Sequence, residues 1–177
     1  MRTDTRKSKI GYVENGAAND VFSLTSEQLA GINEAFGQRR LLAAARDHEL
    51  FGVLDREHLS DEERLALIFL YAHMPITDLA DYGGDLFLKH VSHALVMRRT
   101  MPWGSDVPDE LFLHYVLPPR INNERIEDYR GVIAGELTER VRSLSMSEAV
   151  LETNYWCYEK ATYTGSDART LSPLGMI

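Results

Sequence analysis

At 177 residues, 44% apolar and 26% charged, the chain is long enough to bury the core of one soluble domain. A formal charge of -8 argues against general nucleic-acid affinity, which needs a basic face. A single cysteine excludes an internal disulfide and a cysteine-built zinc cluster, and it suits a reducing, cytoplasmic setting.

Residues 1–22 are polar and mixed in charge, with Arg2, Arg6, Lys7 and Lys9 among glycines and no apolar run that could act as a signal peptide. They read as a flexible, solvated arm; contact of these cations with an acidic partner is the sharper reading and weighs less. Residues 23–177 read as one helical domain. Thr25-x-x-Gln28 has the spacing of a capping box and opens a helix with Leu29, Ile32, Phe36 and Leu41 or Leu42 on its apolar side. Gly31 and Gly37 each weaken it by about 1 kcal/mol relative to Ala, so it needs tertiary support.

Ser60-x-x-Glu63 starts a second capped helix, apolar nearly all round from Leu65 to Leu70 and therefore expected at the centre of the core. Pro75 ends it near His73. The longest uncharged apolar stretch, residues 65–77, is short of the roughly 20 residues that span a bilayer, so no membrane span is expected. Thr77 or Asp78 caps a short turn ending at Gly83-Gly84, and a helix follows to about Arg99 with Phe87, Val91, Ala94 and Leu95 inward. Pro108 fits the start of a helix with Leu111, Phe112, Tyr115 and Val116 inward, although this short run could equally be a strand. Leu117-Pro118-Pro119-Arg120 stops it, and a helix from about Glu127 to Leu144 turns Val132, Ile133, Leu137, Val141 and Leu144 inward.

The last stretch, residues 145–177, begins with a third capping box, Ser145-x-x-Glu148. No Gly or Pro interrupts it before Tyr163, and its buried sector is read as broad: Val150, Asn154, Cys157 and Ala161 beside Leu151, Tyr155 and Tyr158. Asp167 and Arg169 flank the turn after Tyr163 and would hold it. Ser172-Pro173 is a fresh helix start of a few residues, too short to be stable alone, so the chain is expected to continue into a further core. The fold class is mainly α: a single-domain bundle of about six to seven helices with a mobile N-terminal arm.

Chemistry-bearing groups are sparse. His90-x-x-His93 places two imidazoles on one helix face, but two ligands make no metal site and HExxH is absent, so a satisfied pair outweighs a histidine-based metalloenzyme. Cys157, mid-helix among aromatics, reads as a buried structural thiol rather than a nucleophile. Glu124, Glu127 and Asp128 beside Arg120, Arg125 and Arg130 read as a solvated mixed-charge surface rather than an acid/base pair. No P-loop, dinucleotide turn or nucleophile elbow appears, and no cofactor or metal is expected.

Four segments carry a resemblance: Met74-Pro75-Ile76-Thr77-Asp78-Leu79-Ala80, then Leu117-Pro118-Pro119-Arg120-Ile121-Asn122-Asn123-Glu124, then Asn154-Tyr155-Trp156-Cys157-Tyr158-Glu159-Lys160, and Asp167-Ala168-Arg169-Thr170. Together, from about residue 60 onward, they resemble the helical N-terminal region of large bacterial transglutaminase-domain proteins, in a superfamily that includes related cysteine proteases. The resemblance implies that the helix over residues 148–160, Tyr163 and the Ser172-Pro173-Leu174 start form the entry to a Cys-His-Asp core. Catalysis there is thiolate attack on an amide carbonyl, with histidine as base. The nucleophile's segment would lie beyond Ile177, and Cys157 does not match its position, so no catalytic residue is carried over. Trp156, Tyr163, Asp167 and Arg169 are the candidates for a cleft wall or core-packing surface. The expected partner is the missing catalytic core or, for a stand-alone binding module, a protein or peptide. Self-association through the C-terminal face is a further expectation; nucleic acid and membrane are not expected as partners.

Overall fold

The computed structural model describes residues 22–161, in which eight α-helices are found and no strand. Residues 1–21 of the expected arm, and Tyr163, Asp167 and Arg169, lie outside the described residues. The helices are α1 (Ser26–Leu42), α2 (Asp47–Phe51), α3 (Asp61–His73), α4 (Ile76–Asp81), α5 (Gly84–Thr100), α6 (Asp109–Leu111), α7 (Tyr129–Val141) and α8 (Met146–Lys160). The mainly helical class stands. The count exceeds six or seven because α2 is too short to show a periodic pattern and α4 takes the place of an expected turn.

All three capping boxes form: Thr25 with Gln28, Ser60 with Glu63, and Ser145 with Glu148, each hydroxyl accepting the backbone N–H three residues on. α3 is central, with every residue from Leu65 to Ala72 buried between α1 on one side and α5 on the other. A chain of rings ties four helices together. Phe36 of α1 meets Phe51 of α2 at 5.5 Å, Phe51 meets Tyr71 of α3 at 4.9 Å, and Tyr71 meets Phe87 of α5 at 5.7 Å. The Tyr71 hydroxyl donates to the Leu50 carbonyl at 2.5 Å, so the buried phenol is satisfied, and burial raises its pKa far above the ordinary phenol range.

Phe22 is buried in the body formed by these helices and stacks on Phe112. Arg98 of α5 lies over Phe112 and Phe22 and pairs with Asp109 at 2.5 Å, while Asp109 also accepts the Ser23 backbone N–H at 2.6 Å. At the start of α5, a Cβ on Gly84 would sit 2.2 Å from the Leu50 carbonyl oxygen, so only glycine lets α5 lie on the α2 main chain.

Several expected faces turn out differently. Leu41 is 80% exposed and Leu42 is exposed too, because α1 buries only Leu29, Ile32 and Phe36. The run after Pro108 is neither a regular α-helix nor a strand: α6 passes into a single π-helical turn, Phe112–Val116, closed by Leu117 N–H donating to Phe112 O at 2.8 Å. That five-residue spacing aligns Phe112 with Leu117, so Phe112, Leu113 and Leu117 are buried while Leu111, Tyr115 and Val116 are exposed.

α7 and α8 form an antiparallel hairpin set against the C-terminal half of α5. On α7, Val132 is exposed and only Val141 is buried. On α8 the buried face is Ala149 and Trp156, flanked by the half-buried Thr153, and not the sector expected from the pattern. Val150, Leu151, Asn154, Tyr155, Cys157, Tyr158 and Ala161 are exposed. α8 carries two apolar faces and has one main neighbour. Ion pairs accompany the face that turns in: Arg140 meets Glu152 at 3.2 Å and Glu159 at 3.1 Å, and Glu136 meets Lys160 at 3.0 Å.

Candidate functional site

The first two resembling segments meet in space. Asp78 of α4 and Arg120 of the loop after the π-turn form an ion pair at 2.5 Å, with both side chains largely buried. Burial holds the Asp78 carboxyl above its ordinary range, and the Arg120 guanidinium pulls the other way. Arg120 also donates to the Glu124 carbonyl at 3.0 Å. The Glu124 carboxylate accepts the Ile121 and Asn122 backbone N–H groups at 2.6 and 2.9 Å. Burial opposes its charge, but these backbone donors and Arg120 outweigh it and lower its pKa. Glu124 and Arg120 are therefore part of a built loop, which corrects the solvated-surface reading: a carboxylate capping its own loop is spent on architecture, not acid/base work.

A cleft of about 390 Å³ opens beside this pair. His73 at the end of α3 stacks on Phe69 at 4.2 Å, and His114, turned outward by the π-helical turn, meets the His73 ring at 5.6 Å. His73 Nδ1 lies 2.8 Å from the Phe69 carbonyl, which can only accept, so Nδ1 carries a proton. Among the described residues the cleft is lined by no Ser, Thr, Cys or Lys, so its two histidines have no nucleophile beside them there.

The larger concavity, about 590 Å³, is the groove between α5, α7 and α8. Met97, Met101, Ile133, Leu137 and Val150 give it an apolar lining. Arg130 stands at the start of α7 and closes the seam to the body: its guanidinium donates to the carbonyls of Val116, Leu117, Pro118 and His90 at 2.5, 3.3, 2.8 and 2.9 Å. Arg130 is thus fixed by main-chain oxygens, a second correction to the solvated-surface reading.

The His90–His93 pair is split by the fold. His90 is fully buried against Tyr129, its ring 5.3 Å away, and neither ring nitrogen has a regular hydrogen bond. Burial, then the Arg130 charge, push its pKa down to about 4, so it is neutral at physiological pH. His93 faces the groove, and among the described residues no cluster of three or more His, Cys, Asp or Glu side chains could hold a metal.

Of the candidates named from the sequence, Trp156 is the one within the described residues. It is buried against α7, where the Lys160 ammonium and then the Trp156 indole N–H lower the pKa of Glu136. Cys157 is exposed, which corrects its reading as a buried thiol: it lies one residue past the α7-facing stripe, on the outer side of α8. Beside it, Leu151, Tyr155 and Tyr158 form an apolar outer face in which Tyr155 is 66% and Tyr158 86% exposed. Sequence reasoning missed the groove, whose walls come from three separate helices; the one signal was the Met97, Met101 and Met146 content of those helices. No helix among the described residues is long and apolar enough to cross a membrane. In comparisons with known proteins, no family model, curated protein or solved structure matches this chain.

Proposed function

We propose that this chain is the helical N-terminal part of a transglutaminase-like protein, without its own Cys-His-Asp triad, and that it buttresses the catalytic core. The observation that carries this reading is the outer face of α8: Leu151, Tyr155 and Tyr158 are exposed on the helix that resembles the entry to such a core. A large apolar face on a capped, ion-paired helix is suited to packing, and Tyr side chains suit a contact that is apolar with a wet edge. The Asp78–Arg120 junction gives two of the other resembling segments a shared task, registering α4 against the 117–124 loop.

A second reading, a stand-alone helical module that binds a protein or peptide, draws on the closed aromatic core of the body, which is satisfied without any other domain. The intact mass of the protein isolated from its own source separates the two. A mass well above 20.1 kDa, with a cysteine segment after Ile177 and amide acyl transfer by the full product, is the expected result. A mass of 20.1 kDa would overturn the lead-in reading and leave the binding module.

A further inference from the structure

α5 is shared between the body and the hairpin, and one residue on it carries a conflict. Phe87, Val91 and Leu95 belong to the core of the body, whereas Met97 and Met101 pack with Leu137, Val141 and Ala149 of the hairpin. His90 precedes those methionines by seven and eleven residues, which puts it on the side of α5 that meets the hairpin. It is fully buried, and neither ring nitrogen has a regular hydrogen-bond partner. A neutral imidazole tolerates such a place at some cost. A charged one loses its hydration with nothing regular to replace it.

Residues 127–130 cover this ring. The Tyr129 ring is 5.3 Å away, Arg130 donates to the His90 carbonyl at 2.9 Å, and the Glu127 main chain lies beside the imidazole without a regular bond. The chain leaves the body just before them: Ile126 is buried in the main core, and its N–H donates to the Tyr82 hydroxyl at 3.1 Å. The step from body to hairpin therefore falls directly over His90. Arg130 opposes a proton on the ring, as does His93 one turn further along α5, while Asp128 and the Glu127 main chain favour one. The Asp128 carboxylate is partly exposed and shared with Lys89 at 3.4 Å, so burial and Arg130 prevail.

We propose that His90 is an acid-sensitive latch for the α7/α8 hairpin: its imidazole takes a proton when residues 127–130 swing away and water reaches the ring, so acid releases the hairpin from α5 while the body stays folded. Release breaks the four carbonyl bonds of Arg130, which hold the hairpin closed at neutral pH. It uncovers Met97, Met101 and Trp103, an apolar wall that the hairpin otherwise covers. The sign follows from linkage. Below pH 6.5 the open form binds a proton that the closed form takes up only near pH 4, so opening becomes more favourable as pH falls between those values. The latch is independent of what packs on the outer face of α8, and its failure would leave that reading untouched.

The test is native-state hydrogen exchange of the full chain at pH 7 and pH 5, corrected for the intrinsic pH dependence of exchange. Over this range the carboxylates of the hairpin's ion pairs stay charged. At pH 7 the amides of α7 and α8 are expected to exchange through an opening at least about tenfold more frequent than that of the α3 core amides. The equilibrium constant of that opening is expected to rise roughly twentyfold by pH 5. His90→Leu is expected to remove this rise, and Asp128→Asn, which deletes the neighbouring carboxylate, is expected to keep it. Should His90→Leu misfold, His90→Phe keeps a ring in the site and serves the same purpose. Hairpin amides that open only together with those of α3, an opening constant that does not change with pH, or an undiminished rise in a folded His90 variant would each overturn the proposal.

Discussion

Residues 22–126 pack around α3, whereas α7 and α8 pack mostly on one another. The first region buries eight consecutive residues on a single helix, and its aromatic rings link α1, α2, α3 and α5. In the hairpin, the buried residues of α7 and α8 are Val141, Ala149 and Trp156, and three ion pairs fix the helices' mutual orientation. Partly exposed ion pairs of this kind each contribute at most about 1 kcal/mol. The difference separates two uses of a helix: the body spends its apolar residues on stability, and the hairpin leaves its own at a surface. A region with few buried contacts opens below the global unfolding free energy, so the hairpin is the part able to adapt to whatever it meets.

The sharpest way to break this contrast is a deletion in the body. Phe87→Ala removes a fully buried ring that touches Tyr71 and Tyr82 and is expected to cost about 4 kcal/mol in urea unfolding. The loss should appear at amides of both regions, because the hairpin has no core of its own to stand on. A loss confined to the body would show the two to be independent.

Acid provides the next largest effect. His90 is buried neutral, with a folded pKa of about 4 against an ordinary 6.5. Its contribution is fully present above the unfolded value and is lost as pH falls through the folded one, because below pH 6.5 the unfolded chain binds the extra proton. Stability should fall by about 3 kcal/mol between those limits, and His90→Leu should flatten that slope in a pH series of denaturant midpoints. A slope unchanged in His90→Leu would assign the acid sensitivity to carboxylates such as Glu124.

Arg130→Met tests the seam. Four carbonyls lose their charged donor, at an expected cost of about 2 kcal/mol, and hydrogen exchange should rise across α7 and α8 with the body protected. Last, Tyr158→Ser on the outer face should change the stability of the isolated chain by less than about 0.5 kcal/mol. A larger loss would mean that this face is already covered, either by a second copy or by residues outside 22–161.

Much of the body was legible in the sequence because there each signal has one interpretation. The capping boxes of α1 and α3 form as their spacing implies, Pro75 ends α3, and Phe87, Val91, Ala94 and Leu95 are buried on α5. Legibility fails where a helix has more apolar residues than neighbours. On α8 the pattern offers two stripes, and the partners that meet the buried one, Arg140 and Glu136 among them, belong to another helix. It fails again at residues 112–116, where one π-helical turn shifts the face by a residue and a 3.6-residue period misassigns Tyr115 and Val116. The partners of Arg120 and Arg130 were illegible for a different reason: Asp78 is 42 residues away, and backbone carbonyls carry no side-chain signature.

The glycine at position 84 reaches further than its own contact. α5 is an unbroken rod from there to Thr100, about 25 Å long, with one end resting on the main chain of α2 and the other forming a wall of the groove. A methyl group at residue 84 cannot be absorbed by a side-chain rotation, since it would meet a carbonyl; the rod itself must tilt. Small angles at the pivot become ångström displacements at Met97 and Met101. The dimensions of the groove are therefore set in part by a residue nowhere near it.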